Sequence, residues 1–173
     1  LVALASLPPA LHWRFTHIGG GKLAKALQRE AERLGLGDRV EWRGSQAQDA
    51  VVQACREADL FVLASKIAAD GDRDGLPNVL MEAQTQALPC LSTNVAGIPE
   101  LILHGVNGVL VPPGDPAALS EALADLIRNP ALRSQLGLAG AQNLRQCFSF
   151  DNGIDRLARR FGLAADAVPR AAE

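Results

Sequence analysis

Apolar positions along this chain alternate between two spacings, and the alternation predicts the order of its elements. Residues 12–18 read as a strand that ends at Gly19-Gly20-Gly21. Leu23, Leu27, Ala31 and Leu34 then recur three and four apart, which puts them on one face of a helix over residues 22–36. Val40 and Trp42 alternate with charged neighbours in a short strand over residues 39–43, and Val51, Val52 and Cys55 place a helix over 45–58. Asp59-Leu60-Phe61-Val62-Leu63-Ala64 is continuously apolar after its first residue, the pattern of a strand covered on both faces. The same reading predicts a helix over 77–87, strands over 89–93 and 108–111, and a short helix over 98–103. Asp115-Pro116 supplies an N-cap and a first-turn proline for a helix to about Arg128. Helices over 131–147 and 151–161 close the chain, and the small, polar residues 164–173 form a frayed tail.

Strand–helix repetition of this kind predicts an α/β fold: a Rossmann-like, mostly parallel sheet with helices on both faces, occupying residues 1–163 as one domain. Residues 65–75 break the rule of short connections. They form a longer, acidic, glycine-containing loop just past the C-terminal end of a buried strand, the edge at which open α/β sheets bind ligands.

Composition narrows the functions available. With 48% apolar residues the chain has the material for a core, and a net charge of −2 argues against a nucleic-acid surface or an anionic membrane as partner. No stretch approaches the ~18 to 20 apolar residues of a membrane span, and the apolar start lacks the basic leader of a signal peptide. Cys55, Cys90 and Cys147 match no metal or redox spacing and read as buried, reduced thiols of a cytoplasmic protein. His12, His17 and His104 are equally scattered, so no metal site is expected. Asp70-Gly71-Asp72 and Asp72-Arg73-Asp74 read as acidic-loop composition rather than as a metal motif.

Chemistry concentrates in Asp74-Gly75-Leu76-Pro77-Asn78-Val79-Leu80-Met81-Glu82. Pro77 suits a first helical turn, and the helix start offers free backbone N–H groups near Leu76 and Asn78 to an anion. Gly75 permits a tight turn and the close approach of a ligand. Asp74 and Glu82 stand eight positions apart. On a helix that is roughly 10 to 12 Å, wider than the ~5 to 9.5 Å carboxylate pair of a glycosidase. Two acids so spaced fit the ends of one elongated ligand; the alternative is that Asp74 caps the helix and Glu82 is a solvated charge.

These residues resemble a known family. Asp74-Gly75-Leu76-Pro77, followed by four residues and Glu82-Ala83, is similar to the acid-Gly-x-Pro-x4-Glu-Ala signature of the family-4 retaining glycosyltransferases, two-domain enzymes of the GT-B type. Further pieces follow the family's order: Ile18-Gly19-Gly20-Gly21, Val40-Glu41-Trp42-Arg43-Gly44, Ala58-Asp59-Leu60-Phe61-Val62-Leu63 with Ser65, Gly97-Ile98-Pro99-Glu100, and Gly108 to Asp115. The resemblance covers residues 11–161, the family's C-terminal, donor-binding domain. It implies that Glu82 binds the ribose hydroxyls of a UDP- or GDP-linked sugar and that Asp74 acts at the reacting centre. Gly75, Leu76 and Asn78 would hold the sugar or diphosphate, Gly19, Gly20 and Gly21 would face the donor phosphate, and the base would lie near the loops after Gly44 and Ser65. No metal is implied. The family's domain opens with a strand and an Arg/Lys pair, whereas this sequence starts at what resembles the helix after them. That strand, the pair and an N-terminal acceptor domain are therefore expected outside these residues, with an unpaired sheet edge where the strand would sit. Asp74 is also one methylene shorter than the family's usual Glu.

Besides a sugar-nucleotide epimerase, which shares the two-domain architecture but is less favoured by the motifs, two rival readings remain. Gly19-Gly20-Gly21-Lys22-Leu23-Ala24 satisfies G-x-G-x-x-A, and Glu41 lies about 20 residues on, so an NAD(P)-binding dehydrogenase domain is one. The other is a non-catalytic α/β interaction module with a solvated acidic loop.

Overall fold

Among the described residues all strand pairings are parallel, and they fall into two ladders. The structure is a computed structural model, and it describes residues 1–68, 71, 75–148, 154 and 158–162. Strands β1 (Phe15–Ile18) and β2 (Val40–Gly44) pair with each other, and β3 (Phe61–Leu63), β4 (Cys90–Thr93) and β5 (Val109–Val111) form the second sheet in that order. The expected unpaired edge is present: among the described residues β1 hydrogen-bonds only β2, and β3 only β4. Residues 59–64 are covered on both faces as expected, with Phe61 and Leu63 packing on one core cluster and Leu60 and Val62 on another, although the strand itself spans only Phe61–Leu63. Residues of β3 are all half-buried, because an edge strand has a neighbour on one side only, whereas all four residues of the central β4 are buried.

Helices α1 (Val2–Ala5), α2 (Ala24–Arg33), α3 (Gln48–Glu57), α4 (Asn78–Thr85), α5 (Ile98–Leu101), α6 (Pro116–Arg128) and α7 (Pro130–Cys147), with a short 3-10 helix at Gly37–Arg39, complete the described elements. Most are shorter than their apolar spacing predicts, because turns take up the ends. Lys22 and Leu23 belong to the turn after β1, so α2 starts at Ala24, and a left-handed Gly35 lets the Leu36 N–H reach back to the Ala31 carbonyl at 2.8 Å to close the helix. The predicted start of α6 holds, since Asp115 accepts from the N–H groups of Ala117 at 3.0 Å and Ala118 at 2.9 Å, with Pro116 first in the helix. Asn129 ends α6 and caps α7 through the Leu132 N–H. Most of the predicted helix over 151–161, and all of the tail over 164–173, lie outside the described residues.

Side-chain alternation along β4 sends neighbouring residues into two cores, one on each face. Cys90 packs with Leu80 and Ala83 of α4, Cys55 of α3 and Ile98 and Leu101 of α5. Leu91 packs with Ala3 of α1, Val111, Leu123 and Leu126 of α6, and Leu136 of α7. A smaller cluster of Ala31, Leu36 and Val40 joins α2 to β2. Burial of each such leucine stabilises the fold by about 1.5 to 3 kcal/mol.

Cys55 and Cys90 are buried as expected, but Cys147 is exposed, because it ends α7 on its solvent side. Burial, helped by the nearby Cys55, pushes the Cys90 thiol up to about 12. Burial first, and then the Glu82 carboxylate, raise the Cys55 thiol as well. Since the thiolate is the nucleophile, iodoacetamide at mildly alkaline pH should label Cys147 alone in the folded chain and all three cysteines in denaturant. Labelling of Cys90 before unfolding, read by peptide mass spectrometry, would contradict this packing.

Candidate functional site

The loops that leave the C-terminal ends of the strands carry nearly every residue the sequence marks, and they gather in two groups. After β1, the Gly19 N–H donates to the Gly44 carbonyl at 2.8 Å, tying this loop to the one after β2. Gly19 and Gly21 have φ of +146° and +134°, backbone that only glycine adopts readily. A Cβ on Gly20 would lie 2.7 Å from the Ser45 hydroxyl oxygen, so the two loops pack backbone against side chain.

The second group surrounds the start of α4. Buried hydroxyls of β4 hold the chain leaving β3: Ser92 donates to the Leu63 carbonyl at 2.7 Å and Thr93 to the Ser65 carbonyl at 2.6 Å. The Gly97 N–H donates to the Gly75 carbonyl at 2.8 Å, which brings the turn after β4 onto the loop before α4. Ser65, Gly75 and Leu76 therefore share one edge. No hydrogen bond among the described residues joins this group directly to the glycine loop after β1.

At the helix itself, Pro77 is the N-cap rather than the first helical residue, and no described side chain caps α4. Among the described residues the amides of Asn78 and Val79 therefore meet no capping side chain at the positive end of the helix dipole. Gly75 has no positive φ, and a Cβ on it would meet open space. Glycine there leaves open space and is not required by a left-handed turn. Glu82 is half-buried on the second turn, near Cys55, and no described side chain donates to its carboxylate; its carbonyl accepts from the Thr85 hydroxyl at 2.6 Å. Asp74, with Asp70 and Asp72, lies outside the described residues, and so does the expected separation of the two acids.

Sequence reading missed Ser92, Thr93 and Gly97 as parts of this edge. Two hydroxyls in an otherwise apolar, fully buried strand were the available signal, since buried hydroxyls need hydrogen-bond partners. Among the described residues no group of three or more His, Cys, Asp or Glu could hold a metal ion, and no helix is long and apolar enough to cross a membrane. Two open depressions lie elsewhere. One of about 410 Å³ sits between α1 and α6, and one of about 310 Å³ lies beside Ala58 and Pro89, at the opposite ends of the strands.

The acid required by the dinucleotide reading is engaged otherwise. Glu41 sits within β2, opposite Thr16, and accepts from Arg43 at 3.0 Å and from the Thr16 hydroxyl at 3.3 Å. Those hydrogen bonds, that from Arg43 first, hold its carboxyl below the usual range. The dehydrogenase reading is not favoured.

Residues 2–129 match the family described as glycosyl transferases group 1. The chain is 41% identical over 119 residues to the amylovoran biosynthesis glycosyltransferase AmsK of Erwinia amylovora, covering 69% of this chain and 29% of that protein. It is 33% identical over 153 residues to the D-inositol 3-phosphate glycosyltransferase of Streptomyces avermitilis, covering 87% of this chain and 32% of that one. Among solved structures, Anabaena HepE in complex with UDP-glucose superposes with a TM-score of 0.78 at 25% identity, covering 92% of this chain and 43% of HepE. The chain thus spans about three tenths of the length of these curated relatives. Its α/β fold is that of the GT-B enzymes, and the chain belongs to the group 1 glycosyl transferases.

Proposed function

We propose that this chain binds a nucleoside-diphosphate sugar at the C-terminal edge of its strands and forms the donor half of an enzyme that transfers the sugar to an acceptor hydroxyl with retention of configuration. The observation that carries the reading is the start of α4: amides at Asn78 and Val79 that no described side chain caps, open space at Gly75, and a carboxylate, Glu82, without a described partner about one turn along. Amides at a helix N-terminus favour the diphosphate and its growing charge as it leaves, and a carboxylate accepts two hydrogen bonds from a vicinal diol.

In this reading Glu82 holds the ribose, Gly75, Leu76 and Asn78 hold the diphosphate and sugar, and Asp74 acts at the reacting centre. Gly19, Gly20 and Gly21 face the phosphates, the base lies near Ser65, and no resident metal is assigned. An acceptor-binding domain supplies the other wall of the cleft, and the setting is cytoplasmic. The complex of HepE with UDP-glucose and the naming of AmsK as a glycosyltransferase support the donor class.

Titrating UDP-glucose, GDP-mannose and ADP-glucose into the chain by calorimetry tests the proposal. Weak binding of one base series, with no turnover by the chain alone, is the expected result. Binding of NADH and of no nucleotide sugar would overturn it.

A further inference from the structure

We infer that Gly97 is a positioning residue for the donor: its bare backbone sets the place of Gly75 and Leu76, and it is glycine because nothing larger fits against them. The inference rests on the donor-site reading above and adds a residue which that reading leaves without a role.

Gly97 has φ of −82° and ψ of −2°, a conformation open to any residue, so backbone freedom does not call for glycine here. Contact does. A Cβ on Gly97 would lie 2.8 Å from the Gly75 carbonyl oxygen, 3.2 Å from the Gly75 carbonyl carbon and 3.4 Å from the Leu76 Cβ. Two of these neighbours are backbone atoms and cannot rotate aside as a side-chain tip would.

The Gly97 N–H also donates to that same Gly75 oxygen at 2.8 Å. The loop before α4 is thus fixed from outside its own sequence, by a turn 22 positions downstream. That turn is itself anchored. Ala96 takes a left-handed φ of +52°, and Gly97 opens α5, whose Ile98 and Leu101 are buried in the core beside Leu80 and Ala83. Thr93, at the head of the same turn, holds the Ser65 carbonyl. One rigid corner therefore sets both the loop after β3 and the loop before α4.

The test compares ligands that reach the Gly75 loop with ligands that do not. UDP-glucose and UMP, and GDP-mannose and GMP, are titrated into the wild-type chain, Gly97→Ala and Glu82→Ala, with thermal unfolding of each. Gly97→Ala should weaken the nucleotide sugar about tenfold or more, the loss of one charge-assisted hydrogen bond, while the monophosphate of the same base binds within about twofold of wild type. A parallel loss of both ligands with a lowered Tm would reduce Gly97 to a merely structural role and overturn the inference. So would an unchanged affinity for the nucleotide sugar. If Glu82→Ala abolishes binding while Gly97→Ala changes nothing, the donor reading stands and this inference falls. If Glu82→Ala binds as wild type does, the ribose assignment fails and the inference loses its basis.

Discussion

Gly137→Ala should lower the Tm of this chain by roughly 10 °C, although alanine is the better helix former. Inside an exposed helix the exchange stabilises by about 0.5 to 1 kcal/mol, through the backbone entropy that glycine loses on folding. Gly137 lies within α7, where a Cβ would sit 2.0 Å from the Ala87 carbonyl oxygen, 2.9 Å from its carbon and 3.2 Å from the Pro89 ring. No rotamer relieves a clash with backbone. Helix α7 or the turn between α4 and β4 has to move, and α7 carries Leu136, fully buried in the core on one face of β4, and Leu144, packed against the other. Overpacking of this kind costs about 3 kcal/mol, several times the gain in propensity. Gly140→Ala is the internal comparison. Its Cβ would meet the Gln84 side-chain amide at 3.1 Å and the Asn107 carbonyl oxygen at 3.2 Å, contacts that small shifts can relieve. Its loss should be clearly smaller. A Gly137→Ala chain as stable as wild type by calorimetry would show that α7 does not seat on Ala87 as described.

Glu82→Ala should remove nucleotide binding from the chain and leave its fold intact. Hydrogen bonds to a charged acceptor contribute about 1.5 to 3 kcal/mol each. Losing two of them weakens a donor between about a hundredfold and ten-thousandfold, out of calorimetric range for a weak binder. Stability should change little, because Glu82 is half-buried and no described side chain donates to its carboxylate. The variant also has a reporter that needs no ligand. The Glu82 carboxylate helps to raise the Cys55 thiol, so its removal should let that thiol ionise at lower pH. A variant that shows the Cys55 change and still binds donor normally would sink the ribose assignment while proving that the substitution took effect. Asp74→Ala, by contrast, should act mainly on discrimination between donor sugars.

Local rules explain what the sequence made legible and what it did not. The start of α6 could be read because the signal, Asp115-Pro116, and the amides it satisfies lie within four residues. Strand limits were read too wide, since apolar runs mark burial whereas the ladder is set by hydrogen-bonded partners, and β3 has one on a single side. The acid-Gly-x-Pro segment was visible as chemistry, but not the need for glycine at Gly97 and Gly137. Both answer to carbonyls 22 and 50 positions away, at Gly75 and Ala87, and no local pattern encodes such an approach. Glu41 shows the converse. Its spacing from the glycine loop satisfied a motif, yet its neighbours in space, Arg43 and Thr16, take up its carboxylate.

The interruption between the two ladders bears on how the isolated chain behaves at high concentration. Among the described residues β1 and β3 each carry a row of backbone donors and acceptors without a strand alongside, and such rows recruit whatever extended chain comes near. The outer sides of β2 and β5 are open as well among the described residues. Self-association between unlike edges would be head-to-tail, adding copies end on end into a ring where the rotation between copies closes and into an open filament where it does not.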